Sequence, residues 1–200
     1  MKNLEKLIGT PLDGADRLGW FGFSADPPTL AHRTIVDAVL GSGLVQKVIV
    51  FPAGKLPYKD FGASDWQRKD MVELWKASSE YGDEVVLSTF DLLRPKAIVW
   101  HELWRRLQEI SSSVRHFFIV GSDQYREIPK TWSRGKELFE SASFIIVPRE
   151  GWDVVPQREG HLLLPIEPIP GSSTSVRSGD LSLVDERVKD YILEHGLYQS

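Results

Sequence analysis

Polar and apolar positions along the chain fall into two alternating kinds of segment. Short, nearly continuous apolar runs recur at LGWFGF (18–23), KVIVFPA (47–53), EVVLSTF (84–90), HFFIVGS (116–122) and SFIIVPR (143–149). They are rich in Val, Ile and Phe, the pattern of parallel strands covered on both faces. A sixth run, HLLLPI (161–166), lies inside a Pro- and Ser-rich stretch over 151–175. Between the strands the spacing becomes helical. Residues 29–41 place Ile35, Val36, Val39 and Leu40 on one stripe and end on the Gly-Ser-Gly of 41–43, a helix stop. Residues 64–80 open with Ser64 and Gln67 at capping-box spacing and carry Met71, Leu74 and Trp75 on one side. Helices are also predicted over 100–110 and 183–195, the latter with Val184, Val188 and Ile192 spaced by four.

Strand and helix in alternation predict an α/β protein: a doubly wound, mainly parallel sheet with helices on both faces. No period of 20 to 50 residues is present, which excludes a repeat architecture. Residues 1–16 read as a polar N-terminal extension, and 17–200 as a single domain.

Composition changes this picture in three places. With 200 residues, 42% of them hydrophobic, the chain can bury a proper core. The formal charge of −4 argues against a general polyanion binder, so any anion chemistry has to be local. Cysteine is absent, which removes disulfides, thiolate metal sites and a catalytic thiol. No apolar stretch is long enough to cross a bilayer, and the first sixteen residues lack the apolar run of a secretion signal, so a cytoplasmic location is expected. Neither a Walker A sequence nor G-x-G-x-x-G occurs, which weakens kinase, ATPase and dehydrogenase readings.

The candidate chemistry starts at GFSADPPTLAH (22–32), just past the first strand, where an open parallel sheet collects its ligands. Asp26-Pro27-Pro28 makes a rigid extended turn. Thr29 then stands near a helix start, where amides are unpaired and the dipole favours an anion. His32 follows about one turn later on the same side. Thr29 hydroxyl, His32 imidazole and free amides could together hold a phosphate, while the plain alternative is a cap and a buried histidine.

GFSADPPTLAH resembles the (His or Thr)-x-Gly-His phosphate motif of the nucleotidyltransferase superfamily, and in particular its nicotinate mononucleotide adenylyltransferase family. Further segments are similar to that family in the same order: FPAGKLPYK (51–59), FIVGSDQYREIPKTW (118–132), IIVPREGWD (145–153), PGSSTSVRSG (170–179) and YILEHGLY (191–198). The resemblance implies a Rossmann-like fold and adenylyl transfer from ATP to nicotinate mononucleotide, with Mg²⁺ arriving with ATP and no dedicated metal ligands. It implies in-line attack by the mononucleotide phosphate on the α-phosphorus, a reaction that needs positioning and positive donors.

On this basis His32, Thr29 and Arg177 are the expected catalytic residues. Gly22, Phe23, Ser24, Ser172, Ser173, Thr174, Gly121 and Asp123 are expected at ATP and its phosphates, and Lys59, Trp132, Arg149 and Trp100 at the mononucleotide. The chain departs from the family at Phe23, where a second glycine is usual, at Ala31, which replaces the motif glycine, and at AIVWHEL (97–103), which puts Trp100 where a small hydroxyl is usual. Nicotinamide mononucleotide or another phosphorylated acceptor, and a nucleotide-binding regulator without turnover, remain the alternatives.

Overall fold

The computed structural model of the chain describes residues 2–169 and 173–199. Six parallel strands form one sheet: β1 (Arg17–Phe23), β2 (Lys47–Pro52), β3 (Val85–Leu87), β4 (Arg115–Gly121), β5 (Ser143–Val147) and β6 (His161–Leu163). Their spatial order is β3-β2-β1-β4-β5-β6. The order reverses between β1 and β4, so a crevice opens beyond the carboxyl ends of these two strands.

Helices cover both faces. On one side α2 (Leu30–Gly41), α3 (Asp65–Lys76) and α8 (Glu186–Glu194) bury Val36, Val39, Met71, Trp75, Val188 and Ile192 against the sheet. On the other, α1 (Lys2–Ile8), α4 (Trp100–Ile110), α5 (Ser122–Thr131) and α6 (Gly135–Ser141) bury Leu4, Leu103, Leu107, Ile128 and Leu138. Truncating a fully buried residue such as Trp75 to Ala would cost roughly 3–5 kcal/mol. A five-residue helix, α7 (Ser173–Arg177), and a 3₁₀ turn at Leu181–Leu183 join β6 to α8. No helix among the described residues is long and apolar enough to cross a membrane.

Several expectations are corrected. The stretch read as a polar extension packs on the domain where it is described, from residue 2: Leu4, Ile8 and Leu12, four apart, are buried in the sheet's second core, and Ser88 Oγ donates to Ile8 O at 2.9 Å. The third strand spans three residues and not seven, because β3 is an edge with only β2 to pair with. The helix expected over 64–80 stops at Lys76, and the last helix begins at Glu186 on its Asp185 cap. Helices α5 and α6 were not expected; α5 contains Pro129 and is mostly polar, and only the burial of Tyr125 and Ile128 against neighbouring elements decides in its favour.

Candidate active site

The first wall of the crevice is the start of α2. Thr29 is its N-cap, and His32 completes a capping box from the N3 position. Thr29 N–H donates to His32 Nδ1 at 3.1 Å, Thr29 Oγ1 lies 2.8 Å from the same nitrogen, and His32 N–H donates back to Thr29 Oγ1 at 3.4 Å. An amide can only donate, so Nδ1 must accept, and the neutral ring carries its proton on Nε2. Burial, followed by the charges of Arg149 and Lys59, pushes the imidazole down to about 4. At neutral pH His32 is therefore an uncharged N–H donor lining the crevice.

Thr29 has a different task from the expected one. It is fully buried and its hydroxyl is engaged with His32, so it orients the imidazole. Phe23 lines the crevice beside His32. Strand alternation puts its ring with Phe21 on the α2 side, 4.8 Å from the His32 ring centre and 6.0 Å from Trp75. Phe23 thus contributes to the desolvation that keeps His32 neutral.

The second wall is cationic. Lys59 Nζ donates to Ser24 Oγ at 2.8 Å. Burial and the charge of Arg177, with a smaller push from Arg68, lower the Lys59 pKa, and Asp26 opposes them. Lys59, which lines the crevice, thus has the positive charges of Arg177 and the buried Arg68 close to it, an arrangement that an entering anion relieves. Arg177 is held by its own neighbourhood: Nη1 donates to Asp26 O at 2.6 Å and Nη2 to Thr174 Oγ1 at 3.1 Å. Ser173 Oγ donates to Pro27 O at 2.8 Å, docking α7 on the Pro-Pro turn. Ser172 lies outside the described residues.

Asp26, quoted within the motif but not singled out there, is the hub beneath these groups. Its fully buried carboxylate accepts from Gly62 N (3.0 Å), Ala63 N (3.1 Å) and Tyr198 Oη (2.8 Å). Asp91 does the same at the far end, accepting from Gly54 N at 3.0 Å and Ile98 N at 2.6 Å. No sequence signal marked either aspartate, because most of their partners are backbone amides, which carry no side-chain pattern.

The remaining wall is aromatic. Trp100, the first residue of α4, and Trp132, which caps α5, meet edge to face at 5.3 Å, with Phe118 5.0 Å from Trp100. Gly22 keeps this corner open, since a Cβ there would stand 2.5 Å from Phe51 Cζ and 3.0 Å from Trp100 Cζ2. Beside it, Gly121 lies against Asp123 and Arg149, which are 3.9 Å apart. Asp123 Oδ1 and Arg149 Nε are buried without a hydrogen-bond partner, which is costly unless a ligand completes them. The crevice holds about 750 Å³ and is lined by His32, Lys59, Trp100, Trp132 and Arg149 among others, large enough for a nucleotide-sized ligand.

A cytidylyltransferase-like family model matches residues 20–179, from the first strand through Arg177, and so takes in both ends of the cationic site. That match defines the class as a nucleotidyltransferase. A probable nicotinate-nucleotide adenylyltransferase of Tropheryma whipplei (strain TW08/27) is 31% identical over 186 residues, covering 90% of this chain and 98% of the relative. One from Gloeobacter violaceus is 29% identical, covering 92% and 96%. Within the class, the chain belongs to the nicotinate-nucleotide adenylyltransferase family. The fold is shared with the Plasmodium falciparum nicotinic acid mononucleotide adenylyltransferase complexed with NaAD, at TM-score 0.80 and 19% identity, over 92% of this chain and 97% of that one.

Proposed function

We propose that the chain transfers the adenylyl group of ATP to nicotinate mononucleotide, giving nicotinate adenine dinucleotide and pyrophosphate in NAD biosynthesis. The observation that carries this reading is His32: Nδ1 is taken by the Thr29 amide, so a neutral Nε2–H remains in the crevice with Lys59 nearby. An oxygen of the mononucleotide 5′-phosphate attacks the α-phosphorus, and the bond to the β-phosphate oxygen breaks, its electron pair leaving with pyrophosphate. The attacking phosphate is already ionised, so no general base is required. His32 Nε2–H and Lys59 stabilise charge on the transferred group, and Arg177 with Ser173 and Thr174 faces the departing pyrophosphate. Trp132 and Trp100 provide the slot for the pyridine ring, and Asp123 with Arg149 the polar contacts beside it.

Magnesium belongs to the substrate in this scheme. The carboxylates of Asp26 and Asp91 are already engaged with backbone amides. The ion would arrive as MgATP, keeping phosphate and water ligands. A cytoplasmic setting is part of the same proposal, since ATP and a phosphorylated acceptor are both highly charged.

Purified protein with MgATP and, separately, nicotinate or nicotinamide mononucleotide tests this directly, with dinucleotide and pyrophosphate quantified. A higher kcat/KM with the nicotinate form is expected. A higher value with the nicotinamide form would reverse the acceptor assignment. ATP binding without product from either would point to a nucleotide-binding regulator.

A further inference from the structure

Directly behind the cationic wall lies a guanidinium that the proposed reaction does not use. Arg68, on the first turns of α3, is fully buried, which is rare for arginine. Its Nη1 donates to Ser24 O and to Ala53 O, each at 2.8 Å. Its Nη2 donates to Asp65 Oδ1 at 2.8 Å, the Phe61 ring covers its Cζ at 3.9 Å, and Nε has no partner.

The two carbonyls stand where the sheet runs out. The β1–β2 pairing ends at Phe23 and Pro52, and the bond from Ala53 N to Phe23 O at 2.9 Å closes the ladder. Beyond it the strands separate into the two loops that border the crevice. One Nη1 nitrogen, with two hydrogens, bridges them where backbone pairing has stopped. Ser24 is also the residue whose hydroxyl accepts from Lys59 Nζ at 2.8 Å. Arg68 grips the carbonyl of Ser24 while Lys59 holds its side chain.

We infer that Arg68 is a positioning residue for the transfer reaction, fixing the loops after β1 and β2 so that Ser24 presents the Lys59 ammonium to the phosphates. This rests on the adenylyl-transfer reading above. Lysine at position 68 would not substitute fully, because an ammonium lacks the planar fork that lets one side chain bridge two carbonyls and pair with Asp65 together.

The test is a double-mutant cycle on kcat/KM for ATP with Arg68→Met, Lys59→Met and the pair, with Arg68→Lys alongside. Arg68→Met should lose about 10²-fold, the size of effect a small misplacement of a reacting group produces. In the Lys59→Met background the same change should cost less than about threefold, because the group it positions is already gone. Arg68→Lys should recover part of the loss. The inference is overturned if Arg68→Met keeps wild-type constants, or if its cost is the same in both backgrounds, which is what a merely structural residue would give. If Arg68→Met fails to fold, Arg68→Lys takes its place in the cycle with the same criterion. The cycle is also read as the Kd for MgATP by titration calorimetry. Absence of product from the wild type would sink the assigned reaction, whereas an additive cycle in Kd would sink the role of Arg68.

Discussion

Replacing His32 by Ala removes a preorganised donor and leaves the fold. The loss of one such donor from a transition-state charge is typically 10²–10³ in kcat, or about 2.7–4 kcal/mol. The fold should lose far less. Thr29 stays as N-cap and loses the reciprocal imidazole, a change of about 1 kcal/mol or a few degrees of melting temperature. Dinucleotide formation from MgATP and nicotinate mononucleotide, measured across pH 4.5–8.5, separates the neutral donor from a proton shuttle. The free-enzyme imidazole sits near 4, so it contributes no limb to kcat/KM between pH 5 and 8. The mononucleotide phosphate, with a second pKa near 6, does contribute one. That limb should persist unchanged in His32→Gln, which keeps an N–H near Nε2 and should fall between wild type and His32→Ala in rate. Turnover by His32→Ala within about tenfold of wild type would refute the reasoning. So would a wild-type limb that disappears in His32→Gln.

Two further outcomes follow from packing and burial. His116 accepts from Trp20 Nε1–H at Nδ1 (3.0 Å) and meets Ser111 Oγ at Nε2 (2.9 Å), and burial pushes its pKa down to about 4. A folded pKa below the unfolded 6.5 means stability is complete above about pH 6.5 and falls as the pH drops towards 4, where the unfolded chain binds a proton that the fold resists. The share from His116 is about 3 kcal/mol. His116→Gln, which cannot protonate but can still accept from Trp20, should lose less stability than wild type between pH 7 and 4 in urea melts, and equal slopes would contradict the assignment. Gly22→Ala should destabilise by about 1–3 kcal/mol, because its methyl runs into Phe51, locked between Trp20 and Phe90, and into Trp100. It should also raise the KM for the mononucleotide; unchanged melting and KM would show that the corner can yield.

The periodic elements were legible in the chain because their burial is one-sided or complete. The continuous apolar runs of β1, β2, β4 and β5 need cover on both faces, and the stripe Ile35, Val36, Val39, Leu40 needs cover on one. The capping box at Ser64 and Gln67 appears as read. The N-terminal segment was misjudged because its polar residues outnumber Leu4, Ile8 and Leu12, and only a neighbouring helix and strand make those three a core. Helix α5 carries Pro129 and little apolar content, so its helicity comes from where Tyr125 and Ile128 are buried. At the site, His32, Lys59, Trp100, Trp132 and Arg149 converge on one crevice, while Thr29 is buried beneath it and hydrogen-bonded to His32.

What the sequence by itself determined is the alternation of strand and helix, and the residue types that gather at the crevice. Both are written in local spacing and in short motifs whose chemistry needs only a few neighbouring residues. What the tertiary structure alone decided is protonation and support. His32 is neutral because its own burial, and after it the charges of Arg149 and Lys59 from two separate loops, oppose a proton. Asp26 joins residues as distant as Tyr198, and Arg68 bridges Ser24 and Ala53. Such groups act largely through backbone carbonyls and amides, which every residue carries, so no side-chain pattern announces them before the chain has folded.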